Sequence, residues 1–379
     1  MKHRIVVLGA GYAGAHAAGR LARRLHPGGT EIKLVNADPD FVERIRLHQL
    51  AAGQDLPHRP LRDVFAGTHV ELVPAWVSGI DADRRTVVLG EREIPYDTLV
   101  VALGSSTVVE EGRHHVSTRP AALRLRERLA QLGAGETVLV VGGGLTAIEA
   151  STEIAEARPD LRVQVTARQG IGTWLSDKAQ THLQATLRRL NITEVAEPPQ
   201  DAAVTVWTTG FTATSIAAGS ALTVSEAGRI VVDRTMRSVS HPEVYAVGDA
   251  ASAEGPGGDP MRMCCASAVP MAWRAADAIT ERLTGRRPTD FPLRYYGQCI
   301  SLGRNDGILQ ITTADDRPTS TVITGRRAAW IKERVCSGAA WSVSNPTMRL
   351  PSRSRQIRSA PNASGGTTGR TGETAGSRR

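Results

Sequence analysis

The residues whose types and spacing could do chemistry are two sets of small residues. Gly9, Gly11 and Gly14 lie in "IVVLGAGYAG", and Gly142, Gly144 and Ala147 lie in "VLVVGGGLTA". Both follow G-x-G-x-x-[G/A]. In that pattern the first glycine makes a tight turn, the second lets the backbone approach a pyrophosphate, and the third lets a helix pack closely on the preceding strand. The chemistry is anion binding by backbone N–H groups at a helix N-terminus. Two such turns in one chain predict two dinucleotides facing each other across a cleft. The alternative is a duplicated fold with one inactive turn.

Each turn needs a second strand ending in a group that meets the adenosine ribose, about 20 residues on. The usual acid is absent both times. "EIKLV" runs into Asn36, which can donate to and accept from a ribose diol without charge. "LRVQVT" runs into Ala167 and Arg168. An arginine can pair with a 2′-phosphate where an acid would repel it, so the second turn leans towards NADPH, although a solvent-facing arginine is as common.

These turns have to be carried by βαβ units. Residues 4–8, "RIVVL", read as a buried parallel strand and 12–25 as an Ala-rich amphipathic helix, with 137–141 the corresponding second strand. "YDTLVVALGSS" at 96–106, "TVWTTGFTA" at 205–213 and "HPEVYAVGDAA" at 241–251 are strands running into glycine turns, the last ending in Gly248–Asp249.

The chain has 379 residues, 41% apolar and 22% charged, enough for two domains and too apolar for general disorder. Its net charge of +8 is concentrated in residues 349–379, which hold seven arginines and one glutamate. That tail is poor in large apolar residues and is expected to be disordered, with no specific nucleic-acid role. Cys264, Cys265, Cys299 and Cys336 show no metal or redox spacing, so no metal site and a reducing compartment are expected. The N-terminal apolar stretch is broken by the glycines, and no stretch reaches the length of a membrane span. The expected localisation is cytoplasmic, with peripheral membrane contact left open.

With these motifs in view, the chain resembles the FAD-dependent pyridine nucleotide oxidoreductases, the two-dinucleotide-binding-domain flavoproteins, and in particular their type II NADH dehydrogenase and apoptosis-inducing-factor-like branch. The resemblance covers roughly residues 1–335. It implies an α/β fold with two Rossmann-like domains, the second inserted in the first: an FAD domain at 1–108 and 229–290, an NAD(P)H domain at 109–228, a small interface-like segment at 291–345 and the basic tail at 346–379. It further implies FAD on Gly9, Gly11 and Gly14, NAD(P)H on Gly142, Gly144 and Ala147, a flavin ribityl and pyrophosphate contact at Asp249, an adenine contact at Val77, and domain crossings at Gly104 and Gly210. Glu149 matches a glutamate facing the nicotinamide, as the candidate catalytic residue.

Hydride would pass from nicotinamide C4 to flavin N5, a reaction in which the protein mainly positions its cofactors. The dithiol motifs of some relatives, C-x-x-x-x-C and C-x-x-C, are missing. Electrons are therefore expected to leave for an external acceptor, a quinone or other small molecule, a protein carrier, or oxygen. The Ala-Gln motif of the quinone-reducing relatives is also missing from "RMCCASAVPMAWRAADAI", which counts against a quinone. The rival readings are a flavin-containing redox sensor or interaction protein with little turnover, and a flavin-free protein using one turn only.

Four subsidiary expectations concern the surroundings. "DFVERIRLHQLAAG" at 40–53 reads as one basic helix in which Arg44 or Arg46 either neutralises FAD phosphates or, preferably, faces solvent. Cys264 and Cys265 read as two buried thiols at a helix start, with a redox role the alternative. Residues 326–341 read as a short helix packing Trp330, Ile331 and Val335 into a core, cut short by Gly338 and Pro346. Strands at 291–312 would bring Tyr295, Tyr296 and Cys299 to the acceptor side.

Overall fold

Short β-branched runs followed by glycine fold as anticipated. β1 (His3–Leu8) enters the first turn and α1 (Tyr12–Arg24) leaves it. The chain is described from a computed structural model, which covers residues 1–107, 113–285, 292–348 and 353–358. β2 (Thr30–Asn36) pairs in parallel with β1, Ile5 opposite Ile32. Two short helices follow, α2 (Leu47–Ala51) and α3 (Leu61–Val64), then β3 (Val70–Pro74). A three-stranded antiparallel sheet of β4 (Gly79–Asp81), β5 (Thr86–Leu89) and β6 (Arg92–Pro95) precedes β7 (Thr98–Val101). Ile5, Val6, Val7 and Leu8 are wholly buried, each contributing about 1.5–3 kcal/mol by burial.

β8 (Ser105–Thr107) starts the crossing to a second unit. That unit runs β9 (His114–His115), α4 (Arg119–Ala130), β10 (Thr137–Val141), α5 (Leu145–Ala157), β11 (Arg162–Thr166), α6 (Asp177–Arg189), β12 (Thr193–Glu194) and β13 (Val204–Trp207). Its five strands are parallel in the order β12-β11-β10-β13-β9. β14 (Phe211–Ala213) returns antiparallel to β8, so the outgoing and incoming chains form one ribbon, Phe211 opposite Thr107. Beyond it lie β15 (Ile230–Val231), β16 (Val244–Ala246) and β17 (Ala251–Ser252). β16 rejoins the first sheet, giving the order β16-β7-β1-β2-β3.

α7 (Cys265–Thr284) packs on α1, and its C-terminus is closed by Gly285 in the left-handed conformation. A three-stranded antiparallel sheet follows, β18 (Gly297–Ser301), β19 (Gly307–Thr312) and β20 (Pro318–Thr324), covered by α8 (Arg326–Ser344).

Three expectations are corrected here. Residues 40–53 are not one helix. A 3-10 turn at Arg44–Arg46 leads into the short α2, because the buried Arg46 is drawn inward by ion pairs with Glu43 and Glu333 instead of facing solvent. α8 runs through Gly338 to Ser344. Its buried residues are Ala328, Cys336, Ala340, Ser342 and Val343, while Trp330 and Val335 are exposed at 61% and 47%. The basic tail is not disordered throughout: residues 353–358 lie along the first unit. There Arg355 bridges to Leu25, Ile357 packs against the core and the Arg358 N–H donates to the Leu283 carbonyl. The physical reason is that a single apolar residue and three backbone hydrogen bonds at the ends of α1 and α7 hold a segment that composition alone left unsupported. The rest of the tail from 359 on, and the expected junctions at 108–109 and 290–291, fall outside the described residues.

Candidate active site

The first turn is built by exclusion. Gly9, at φ +90°, sits where a side chain would meet the Ala102 carbonyl at 2.5 Å, and a Cβ on Gly14 would run into the Gly9 carbonyl. Only glycine fits either position. Around Gly11 nothing lies within 4 Å of a Cβ. Gly11 caps α1 without a side-chain hydrogen bond, so the first N–H groups of the helix face an open cradle.

Asn36 ends β2, but its amide is engaged by the turn: Oδ1 accepts from the Ala10 N–H at 2.8 Å and Nδ2 donates to the Asp38 carbonyl at 2.7 Å. The Asn36 carbonyl accepts from the Ala75 N–H, which sets the 74–77 segment beside the turn, with Val77 buried and Trp76 exposed.

Asp249 lies in a 3-10 turn after β16. Its preceding Gly248 is wedged between Ala13 of α1 and Ala268 of α7. The Ser105 hydroxyl donates to Asp249 Oδ2 at 2.7 Å and accepts from Arg44 Nη2 at 3.2 Å. Burial lowers the Arg44 pKa while Asp249 opposes that shift. Arg44 approaches Gly104 at the end of β7, a Cβ there lying 3.5 Å from Nη1, and stands over the Phe211 ring. The sequence thus brings Gly11, Gly104, Asp249 and Arg44 onto the carboxyl ends of the first sheet's strands. Arg44 is the member of its pair that stays beside the site.

The second turn repeats the geometry. Gly142, at φ +138°, is closed over by the Thr208 hydroxyl, and a Cβ on Gly143 would meet the Gly170 carbonyl and lie 3.0 Å from Ala167. Gly144 is open and caps α5 with no side-chain bond. Ala147 is fully buried. Arg168 is exposed just past β11. Gly210 lies between β13 and β14, beside the ribbon.

Glu149 is placed differently from an open-cleft residue. It lies on α5, 4% exposed, with Oε1 2.8 Å from Lys332 Nζ and accepting from the Ser301 N–H at 3.0 Å. Burial pushes its carboxyl up, but Lys332, His48 and the hydrogen bonds outweigh that and hold it below the usual range. Burial likewise works against the Lys332 ammonium, and Glu149 more than restores it. His48 Nδ1 is 3.9 Å from Glu149 Oε2, yet burial depresses His48 to about 4, so near neutral pH the contact is not an ion pair. Lys332 also donates to the Cys299 carbonyl at 2.9 Å and lines a cavity of about 510 Å³ with Gln49, Ser301, Arg304, Trp330 and Glu333.

Sequence reasoning missed Lys332. The signal was there: Ala328, Lys332, Cys336 and Ala340 recur every four residues as one stripe of α8.

The cysteines do not make a dithiol centre. All four are free; Cys264, half-buried, caps α7, and Cys265 is exposed instead of buried. The Tyr295 hydroxyl accepts from the Arg262 N–H, and Tyr296 is exposed. Among the described residues no His, Cys, Asp and Glu cluster could hold a metal, and no helix is long and apolar enough to cross a membrane.

FAD fits the first turn on the cradle that a Cβ at Gly11 would occupy without meeting another atom. With the open cradle at Gly11 and the donor and acceptor chain from Arg44 to Asp249, the residues suit a polar dinucleotide.

Residues 3–278 match the model of the pyridine nucleotide-disulphide oxidoreductase family. The chain belongs to this family. As such it is an oxidoreductase, with FAD and NAD(P)H as its cofactors and two Rossmann-type units as its fold. It is 26% identical to a type II NADH:quinone oxidoreductase of Staphylococcus haemolyticus, over 90% of this chain and 96% of that one. It is 29% identical to an NADH dehydrogenase-like protein of Mycobacterium tuberculosis, over 79% and 86%. Among solved structures it is similar in fold to NDH2 of Plasmodium falciparum in complex with NADH, with a TM-score of 0.75, 13% identity, and coverage of 92% and 97%.

Proposed function

We propose that this family member oxidises NAD(P)H and passes the electrons to a small-molecule acceptor of the quinone class. The observation that carries the reading is the pair of open, uncapped helix N-termini at Gly11 and Gly144, one in each parallel sheet, with the β8–β14 ribbon between the two units. The quinone class is supported by the name of the Staphylococcus haemolyticus relative and by the absence of a dithiol centre that would otherwise take the electrons. FAD, when bound, supplies a carrier that accepts a hydride from a nicotinamide and returns two electrons to an acceptor.

The chain's own residues hold and orient. The N–H groups of α1 and α5 hold pyrophosphates, Arg44 offsets phosphate charge, and Asp249 accepts from hydroxyls while Ser105 fixes its rotamer. Glu149 and Lys332 fix the height of α5, and so of the nicotinamide turn, against α8. Glu149 holds Lys332 Nζ as an ammonium at the wall of the cavity that Gln49, Ser301 and Arg304 also line.

The test is anaerobic mixing of the yellow holoprotein with NADH or NADPH while the flavin absorbance is followed, then addition of a soluble quinone. Rapid bleaching and rapid recovery are expected. A reduced state that persists in the presence of quinone would overturn the acceptor class, and colourless protein would overturn the flavin.

A further inference from the structure

We propose that the second glycine turn selects NADPH over NADH, through Arg168 acting on the 2′-phosphate and through the lack of any carboxylate at the end of β11. The proposal rests on reading that turn as the nicotinamide site and goes further in naming which dinucleotide it takes. It also runs against the names of the relatives, which specify NADH.

The end of β11 is tied to the second glycine turn by backbone hydrogen bonds. The Thr166 carbonyl accepts from the Gly142 N–H at 2.9 Å, and the Gly172 N–H donates to the Gly143 carbonyl at 3.0 Å. Ala167 lies 3.0 Å from where a Cβ of Gly143 would stand. The loop from Ala167 to Gly172 is therefore fastened to the turn at both ends, and its side chains border the position an adenosine ribose takes beside such a turn.

Three features of that loop then matter. Position 167 is alanine, so nothing there accepts from a 2′-hydroxyl and nothing repels a 2′-phosphate. Arg168 is exposed and makes no hydrogen bond or ion pair within the described residues, so its five donors remain for a ligand. The nearest acid on the adjoining strand is Glu194, and its Oε1 is held by the Ile171 N–H at 3.1 Å, which ties that carboxylate to the loop backbone.

An NADH site needs a carboxylate to accept from the ribose diol, and none is offered. An NADPH site needs a planar cation for a dianionic phosphate, and one is. The first turn makes the contrast: its strand ends in the neutral Asn36, whose amide is consumed by the turn, so no cation marks that site as one for a 2′-phosphate.

The test is calorimetric titration of the purified holoprotein with adenosine 2′,5′-bisphosphate and with 5′-AMP, which reads binding without turnover. The bisphosphate is expected to bind ~10- to 100-fold more tightly, the range of a charge-assisted pair. That gap should narrow as salt is raised. Arg168→Gln is expected to bring the bisphosphate to the level of 5′-AMP, and the ratio of kcat/KM for NADPH over NADH to fall by a similar factor. Ala167→Asp should push the ratio further towards NADH. Because Arg168 is exposed in a loop, Arg168→Gln is expected to fold, and circular dichroism checks this.

Equal or tighter binding of 5′-AMP by the unmodified chain overturns the proposal while leaving the nicotinamide site intact. So does a preference that survives Arg168→Gln. Failure of both nucleotides to bind overturns the proposal together with the assignment of this turn as the nicotinamide site.

Discussion

Lys332 Nζ lies 2.8 Å from Glu149 Oε1 in the interior, joining α8 of the C-terminal segment to α5, the helix that leaves the second glycine turn. Removing one member leaves the other charge buried and unpaired, which costs about 3–5 kcal/mol. Lys332→Met is therefore expected to lower the denaturant midpoint strongly. The double variant Lys332→Met with Glu149→Leu should recover much of that loss, because apolar replacement of a whole buried pair is often neutral. Urea unfolding of the three proteins decides it; a double variant no better than the single would show that the pair is not the energetic unit.

The same junction predicts an acid limit. His48 titrates at about 4 when folded and near 6.5 when unfolded, since burial disfavours its charged form. Between those values the unfolded chain binds a proton that the folded chain does not. Stability therefore falls as pH drops from 6.5 to about 4, by roughly 3 kcal/mol at full extent. Glu149 adds to the loss lower down: its carboxyl is held below the ordinary range, so its contribution is present above about pH 4.3 and disappears as pH falls through the folded value. His48→Phe should flatten the upper part of the profile, measured as urea midpoint against pH. An unchanged slope between 6.5 and 4 would remove His48 from the account.

What the sequence made legible was local. The strand expected at 4–8 is found at His3–Leu8, the helix at 12–25 is found at Tyr12–Arg24, and the strand at 137–141 is found as expected. Each is specified by a run of neighbouring residues and a glycine whose backbone demands are its own. What was not legible depended on partners far along the chain. Arg46 is buried because Glu333 meets it, Glu149 because Lys332 does, and residues 353–358 are placed because Arg24, His26 and Leu283 present backbone groups to them. In α8 the bulky residues suggested the buried face, but small side chains were required against β18 and β19, leaving Trp330 outside.

The glycines of the first turn should separate folding from binding. A Cβ on Gly14 collides with the Gly9 carbonyl, so Gly14→Ala must shift α1 and is expected to cost about 1–3 kcal/mol as well as FAD. A Cβ on Gly11 meets nothing, so Gly11→Val should keep a normal melting temperature yet occupy the pyrophosphate cradle. Its purified form is expected to be nearly colourless. Full flavin content in Gly11→Val would show that the cradle is not where the pyrophosphate lies.

The chain from Arg44 through Ser105 to Asp249 gives a graded prediction for flavin retention. Asp249 accepts from the Ser105 hydroxyl at 2.7 Å, and Arg44 donates to the same hydroxyl at 3.2 Å, so Ser105 orients both charged groups. Ser105→Ala removes that alignment but neither charge, and about 1 kcal/mol of FAD affinity, some fivefold in Kd, is the expected loss. Asp249→Ala removes the acceptor itself, so its loss should be larger, about 2–3 kcal/mol. Arg44→Gln should weaken FAD more at low than at high salt, because its contribution is charge on phosphate. Fluorescence titration of deflavinated protein gives all three constants. A Ser105→Ala loss equal to that of Asp249→Ala would mean the serine contacts the flavin itself and is not merely aligning its neighbours.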